Sequence, residues 1–362
     1  MSAARPPEGA RHRSLQGEGT PVSTAPGAGA PVNGPLLQVE DLVKHFERPR
    51  SLTRRLAGEK ASVVHAVNGV SLALERGETL GLIGESGCGK STLGRAILRL
   101  VEPSAGRVVF DGQCLQGLGA RQMAGMRARM QIIFQDPYAS LNPRKSIREI
   151  VSLPLQLHGG LKPADITQRV QAILARVGFR GDQIDLYPHQ FSGGQRQRIG
   201  IARALVSRPE LVVCDEPVSA LDVSIKAQIL ELLGELKAEF NLTYLFVSHD
   251  IAAVGHIADR IAVMYLGEIV EIGPTSQIIH APQHPYTRAL LSAVPRLFPE
   301  AGRTRVVLRG DLPSPVHPPR GCKFHTRCPV AMDSCSTQAP ALLATGEDAR
   351  HRVACWRSTP HD

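Results

Sequence analysis

The sequence predicts an α/β fold built on a mainly parallel sheet. Two observations carry this reading. Short, wholly apolar runs of strand length, such as Thr79–Ile83 and Leu211–Cys214, alternate with longer stretches of helical periodicity. A glycine-rich turn of the form G-x-x-x-x-G-K-[ST] also follows one such run and opens one such helix.

The elements follow in order. The first 35 residues hold six Gly, six Pro and six Ala and almost no large apolar side chain. Such a segment buries too little surface to offset its ordering entropy, so residues 1–35 are expected to be a disordered tail. Leu37, Val39 and Leu42 then alternate with polar residues as in a half-buried strand. The basic stretch Arg48–Lys60 reads as a surface loop, and Ala66–Leu74 and Thr79–Ile83 as strands. Further buried strands are expected at Met130–Phe134, Leu211–Cys214 and Tyr244–Val247. Helical patterns occupy Ser91–Leu100, Pro163–Val177, Gln195–Val206 and Lys226–Glu239. No internal repeat is visible. Beyond Pro274 the chain turns Pro-rich and irregular, as a separate C-terminal module would.

Composition bounds the function. The 362 residues carry 42 Lys+Arg against 33 Asp+Glu, a net charge of +9, with 43% hydrophobic residues. No run approaches the ~18–20 apolar residues of a transmembrane helix, and the N-terminus lacks a secretory pattern. A cytosolic chain is expected, whose seven cysteines are poor disulfide candidates. The positive charge suits an acidic partner without choosing among nucleotide, lipid and nucleic acid.

The glycine-rich turn is Gly84-Glu85-Ser86-Gly87-Cys88-Gly89-Lys90-Ser91-Thr92. Its glycines let successive N–H groups face phosphate oxygens, and the helix N-terminus adds partial positive charge. Lys90 brings a full charge to the β- and γ-phosphates, and the Ser91 hydroxyl is placed to ligate Mg²⁺. Cys88 contributes mainly backbone N–H; its thiol is either incidental or a redox group. In Leu211-Val-Val-Cys-Asp-Glu-Pro217 an apolar strand ends in two acids. Asp215 is the partner for hydrated Mg²⁺, and Glu216 can orient or polarise an attacking water. Together the two motifs predict hydrolysis of a nucleoside triphosphate.

Between them stands Phe191-Ser-Gly-Gly-Gln-Arg-Gln-Arg198. Ser192 can cap the following helix, while Gly193 and Gly194 expose N–H groups at its positive end, with Gln195 beside them. Here the chain resembles the ATP-binding cassette (ABC) superfamily, although the signature is more often preceded by Leu than by Phe191. That resemblance implies an ABC-type P-loop ATPase core with an inserted helical subdomain, here about 136–208. It also implies that the signature reaches ATP held by a second subunit. Gln135 resembles the Q-loop glutamine, which touches Mg²⁺ and senses the γ-phosphate. Ser219-Ala-Leu-Asp222 resembles the D-loop, and His249 the switch histidine. Phe46 resembles the aromatic that stacks on adenine, with a plain core Phe as the alternative.

Three longer stretches narrow the match: Gly84–Gly94, Phe134–Pro143 and His284–Pro295 are similar to the oligopeptide/dipeptide/nickel importer ATPases, and to the second of their paired ATPase subunits. This resemblance spans about 36–357. It divides the chain into a tail (1–35), an ABC ATPase domain (36–273) and an importer-type C-terminal module (274–362). It implies an ATPase that powers uptake of di- or oligopeptides, or alternatively of nickel or another small solute. The implied partners are a second ATPase subunit, two permease subunits docked near Gln135–Arg144, and, through the permease, an extracytoplasmic binding protein. The implied location is the cytoplasmic face of the cell membrane.

Four of the seven cysteines, Cys322, Cys328, Cys335 and Cys355, fall in the last 41 residues, spaced C-x5-C-x6-C-x19-C. The paired C-x2–4-C of common structural zinc sites is absent. Four thiolates can hold an iron–sulfur cluster, with Pro329 after Cys328 as in ferredoxin-type surroundings. The resemblance implies a [4Fe–4S] cluster too, since some importer relatives carry one in the corresponding tail. Zinc, with His325 as a possible replacement ligand, and unligated thiols remain as alternatives.

A nucleic-acid-associated ATPase of the same superfamily is the rival reading, which the basic charge would suit. Repair and chromosome ATPases insert long coiled coils between phosphate loop and signature, and translation-factor relatives carry two cassettes. Here 102 positions separate Lys90 from Ser192 with no heptad run, and there is one cassette. No nucleic-acid partner is expected; the basic stretches Arg48–Arg55 and Arg303–Arg309 read as solvated surface or a face near anionic lipid.

Overall fold

A computed structural model describes residues 34–47, 62–158, 160–293, 308, 310–346 and 348–358. The Gly/Pro/Ala-rich tail (but for 34–35), the basic stretch Arg48–Lys60 and most of Arg303–Arg309 lie outside the described residues.

Twelve strands form two sheets among the described residues. The smaller, in the order β2-β1-β4-β5, is antiparallel and comprises β1 (Leu37–Glu47), β2 (Val63–Leu74), β4 (Ala105–Phe110) and β5 (Gln113–Cys114). The larger has a parallel centre of β6 (Met130–Ile133), β7 (Leu211–Asp215), β8 (Thr243–Val247), β3 (Thr79–Ile83) and β9 (Arg260–Tyr265). It continues antiparallel through β10 (Glu268–Pro274), β12 (Asp348–Val353) and β11 (Leu343–Thr345).

Strand alternation explains why the central strands read as apolar on both faces. Leu211, Val213, Leu245 and Val247 point into one core with Leu37, Leu93, Ile97 and Phe110. Val212, Cys214, Tyr244 and Phe246 point into the other, with Ile199, Leu205 and Leu233. The first core lies between the sheets and around α1 (Lys90–Ile97). The second is covered by α4 (Ile147–His158), α5 (Pro163–Arg176), α6 (Gly193–Leu205), α7 (Val223–Phe240) and α8 (Ile251–Ile257). Two short helices, α2 (Ala120–Arg129) and α3 (Pro137–Ser140), flank β6.

The expected strands and helices are present within a few residues of their sequence bounds. Among the unanticipated elements are β4, β9 and β10, the last two almost wholly buried, α2, α8, and α4, which carries Pro154 within it. The C-terminal stretch expected to stand apart instead joins the core sheet, because β12 pairs with β10 through Glu271↔Val353 and Ile272↔Arg352. Two helices, α9 (Thr275–His280) and α10 (Pro285–Ser292), follow β10 along the chain. Among the described residues no helix is long and apolar enough to cross a membrane.

Candidate functional site

Strand β3 delivers the chain into the phosphate loop, and α1 starts at Lys90 behind Gly89. Two glycines are required sterically. Gly84 has φ +154° and a Cβ there would lie 2.2 Å from the Met264 carbonyl oxygen; at Gly89, φ +109°, it would lie 2.0 Å from that of Ala66. Lys90 is buried, and its Nζ donates to the carbonyl oxygens of Gly84 (2.8 Å) and Glu85 (2.9 Å). Cys88 is buried beside it, and burial pushes its thiol above the ordinary range, with Lys90 opposing. A buried, protonated thiol is a poor redox group.

The acids stand where the parallel strands end. Asp215, the last residue of β7, is 1% exposed; its Oδ1 accepts from Ser91 Oγ at 2.5 Å and its Oδ2 from Arg95 Nη2 at 3.2 Å. Glu216 follows with φ 50°, a left-handed conformation uncommon outside glycine, and its N–H donates to the Val247 carbonyl. Its Oε2 accepts from Gln135 Nε2 and His249 Nδ1, each at 3.1 Å. Gln135 lies just past β6 and His249 just past β8, the two neighbours of β7.

A cavity of about 620 Å³ brings Gln135, Glu216 and His249 together with the glycine-rich turn, while Asp215, Gly84, Glu85 and Cys88 are not part of its lining. Ser86, Gly87, Gly89, Lys90, Ser91 and Thr92 line it, with Gln135, Glu216 and His249, and with Phe46, Val64, Ala66 and Pro315. Phe46 is 38% exposed and carries Lys44 Nζ 4.8 Å from its ring centroid, so the core alternative for it does not hold. A serine hydroxyl, a buried carboxylate and an amide oxygen form a donor set that fits a hard divalent cation. Pro315 had no sequence signal; it arrives because His65 N–H donates to its carbonyl at 2.9 Å. Arg95 could have been anticipated, since it lies one helical turn beyond Ser91 on α1.

The signature stands elsewhere in the chain. Ser192 caps α6, accepting from Gln195 N–H at 3.3 Å while Gln195 Oε1 accepts from Ser192 N–H at 3.0 Å. Neither Ser192–Gln195 nor Asp222, which precedes α7, lines the cavity that holds Lys90.

Cys322, Cys328, Cys335 and Cys355 all line a second, mainly apolar cavity of about 20 Å³, with Trp356 and Met332. Cys322 N–H donates to the Cys335 carbonyl at 2.9 Å, which pins two of the loops together. Burial pushes the Cys322 thiol up to about 11 and raises Cys328 as well. His325 Nδ1 is engaged with the Cys322 carbonyl at 2.8 Å. Among the described residues, no three Cys, His, Asp or Glu side chains stand close enough together to hold a single ion.

Comparison with known proteins agrees in two parts of the chain. The ABC transporter family model matches residues 67–219, and the model for the oligopeptide/dipeptide transporter C-terminal region matches 270–335. The chain is 50% identical over 323 residues to the oligopeptide transport ATP-binding protein AppF of Bacillus subtilis, covering 88% of this chain and 96% of that one. It is 48% identical over 328 residues to OppF of Salmonella typhimurium, covering 90% and 97%. Among solved structures it is similar to the dimeric cassette MJ0796 bound to ADP and Pi (TM-score 0.58, 27% identity, 66% of this chain and 98% of that one). It is also similar to cbiO1 of Clostridium perfringens (TM-score 0.58, 28% identity, 69% and 92%).

Proposed function

The chain belongs to the ABC transporter ATPases, in the branch with the oligopeptide/dipeptide C-terminal region, and from that premise we propose that it is the ATP-hydrolysing subunit of a peptide importer. The observation that carries the chemistry is Glu216, held by Gln135 and His249 at the cavity that the phosphate loop lines.

The residues divide the work as follows. The loop N–H groups and Lys90 bind the polyphosphate, and Phe46 stacks on the base. Ser91, Asp215 and Gln135 would hold Mg²⁺, which when bound neutralises charge on the phosphate oxygens. Glu216 accepts hydrogen-bond donation from the attacking water and orients it; His249 keeps that carboxylate aimed. Because the signature lies apart from this cavity, each site is completed by Ser192, Gly193, Gly194 and Gln195 of a second cassette, with Asp222 near that junction. Closure of the pair drives two permease subunits, which take solute from an extracytoplasmic binding protein. Tyr138, 64% exposed within Gln135–Arg144, belongs to the permease-facing surface. The chain would sit peripherally on the cytoplasmic face of the membrane.

The deciding experiment deletes the gene and follows uptake of labelled di- and oligopeptides and of nickel. Loss of peptide uptake, restored by the wild-type gene and not by Glu216→Gln, supports the reading. Intact peptide uptake with lost nickel uptake would replace the solute.

For the four cysteines the proposed occupant is a [4Fe–4S] cluster, with Zn²⁺ as the alternative. Convergence of four soft ligands on one cavity supports a thiolate-bound group. The cavity is the size of about one water, so seating a cluster requires the sulfurs to spread, and binding must displace thiol protons. About four iron and four acid-labile sulfide per chain in anaerobically purified protein, with absorption near ~400 nm, would establish the cluster. One zinc per chain, or no metal, would reject it.

A further inference from the structure

The phosphate loop contains an acid. Glu85 lies between Gly84 and Ser86, next to residues that line the cavity, so an unpaired carboxylate there would set a negative charge close to bound phosphates. It is not unpaired. Arg327 Nη1 donates to Glu85 Oε2 at 2.8 Å and Nη2 to Oε1 at 3.0 Å, a two-pronged pairing. The arginine side chain is only 8% exposed, and its guanidinium lies 6.0 Å from the Tyr265 ring centroid. The Glu85 backbone is held as well: its N–H donates to Tyr286 Oη at 2.8 Å, and its carbonyl accepts from Lys90. Phe324 packs against Tyr265, Tyr286 and His284, so the C-terminal segment grips this one loop residue through two side chains.

We propose that Arg327 is a positioning residue for ATP binding, which draws the Glu85 carboxylate away from the phosphates and neutralises it. The C-terminal segment is thereby part of the nucleotide site, 242 residues along the chain from the loop it serves. This rests on the reading of the phosphate loop as an ATP site. Arg327 also directly precedes Cys328, so the cysteine cavity and the loop share one short stretch of backbone.

A role limited to stapling the C-terminal segment would lower thermal stability and leave ATP affinity alone. A role in charge removal makes a different demand. In full-length protein, Arg327→Gln is expected to raise Kd and KM for ATP about tenfold, while kcat at saturating ATP changes by less than about twofold. Adding Glu85→Gln removes the unpaired charge and is expected to restore most of that affinity. Lys90→Ala, measured alongside, separates the two levels of the argument. If Lys90→Ala leaves ATP affinity intact, the nucleotide-site reading fails and this proposal with it. If Lys90→Ala weakens binding but Arg327→Gln does not, or the double variant binds no better than Arg327→Gln alone, only the role of Arg327 is overturned. Should Arg327→Gln fail to fold, Arg327→Met keeps the packing on Tyr265 and carries the same expectations.

Discussion

His249 Nδ1 stands 3.1 Å from Glu216 Oε2, and Gln135 Nε2 reaches the same oxygen at the same distance. The carboxylate accepts from both, so Nδ1 of His249 is the donor in its pair. The three residues follow three adjacent strands, β6, β7 and β8, so sheet register sets their separation. The left-handed backbone at Glu216 is the cost of turning its side chain toward that meeting point.

Glu216→Gln keeps the volume of the side chain but replaces one acceptor oxygen by an NH2 donor and removes the negative charge that aligns water. ATP affinity should be retained, while turnover drops by roughly 10²–10⁴-fold. The variant should also accumulate as a closed, ATP-loaded pair of cassettes. Steady-state phosphate release and size-exclusion chromatography with ATP report the two effects, and unchanged turnover would refute the assignment of Glu216.

Lys90→Ala acts earlier. Its ammonium is buried against two loop carbonyls, so truncation removes both the charge and the tie that shapes the loop. Affinity for ATP should fall about tenfold or more, read by calorimetric titration. An unaltered Kd would show that phosphates are held elsewhere.

Ser192→Ala tests the assignment in trans. The serine caps α6 and lies outside the cavity of its own chain. Loss of the cap should lower stability by about 1 kcal/mol. ATP binding to the isolated chain should be unaffected, whereas hydrolysis by the assembled pair should fall at least on the order of tenfold. Weakened ATP binding by the lone chain would argue that the signature serves its own site.

The nucleotide chemistry was legible in the sequence because local geometry dictates it. A strand, a glycine turn and a helix must place Lys90 and Ser91 together, and an apolar strand ending in Asp215 and Glu216 must deliver both acids to the same sheet edge. What joins distant segments was not legible. Pro315 enters the cavity through one backbone bond to His65, and Arg327 reaches Glu85 across most of the chain. Nor does the irregular composition after Pro274 disclose that β12 would extend the core sheet, since β12 is short and carries Arg350, His351 and Arg352. The clustering of four cysteines raised a metal site only as one expectation among others, and the shared cavity of the four thiols is a tertiary fact that spacing alone could not give.

Acid should loosen the region that holds Glu85. His284 is buried, its Nδ1 accepts the Tyr286 N–H at 3.1 Å to cap α10, and burial lowers its pKa from 6.5 to about 4. The folded chain therefore refuses a proton that the unfolded chain accepts. The stability this confers is present above pH 6.5 and is lost as pH falls toward 4, at up to about 1.4 kcal/mol per pH unit. Two acids of β10 also titrate. Burial alone would raise Glu271, but donation from His351 and from the Gln283 and His284 N–H groups holds it below the ordinary carboxylate range, so its loss comes at still lower pH. Burial pushes Glu268 up to about 7, which has the opposite sign: its penalty grows as pH rises through that range and partly masks the histidine. The difference between wild type and His284→Asn isolates the effect, because asparagine keeps a capping acceptor and cannot take up the charge. The Tm advantage of wild type over the variant should shrink steadily between pH 6.5 and 4. Parallel Tm curves across that window would show that the imidazole is not held neutral by the fold.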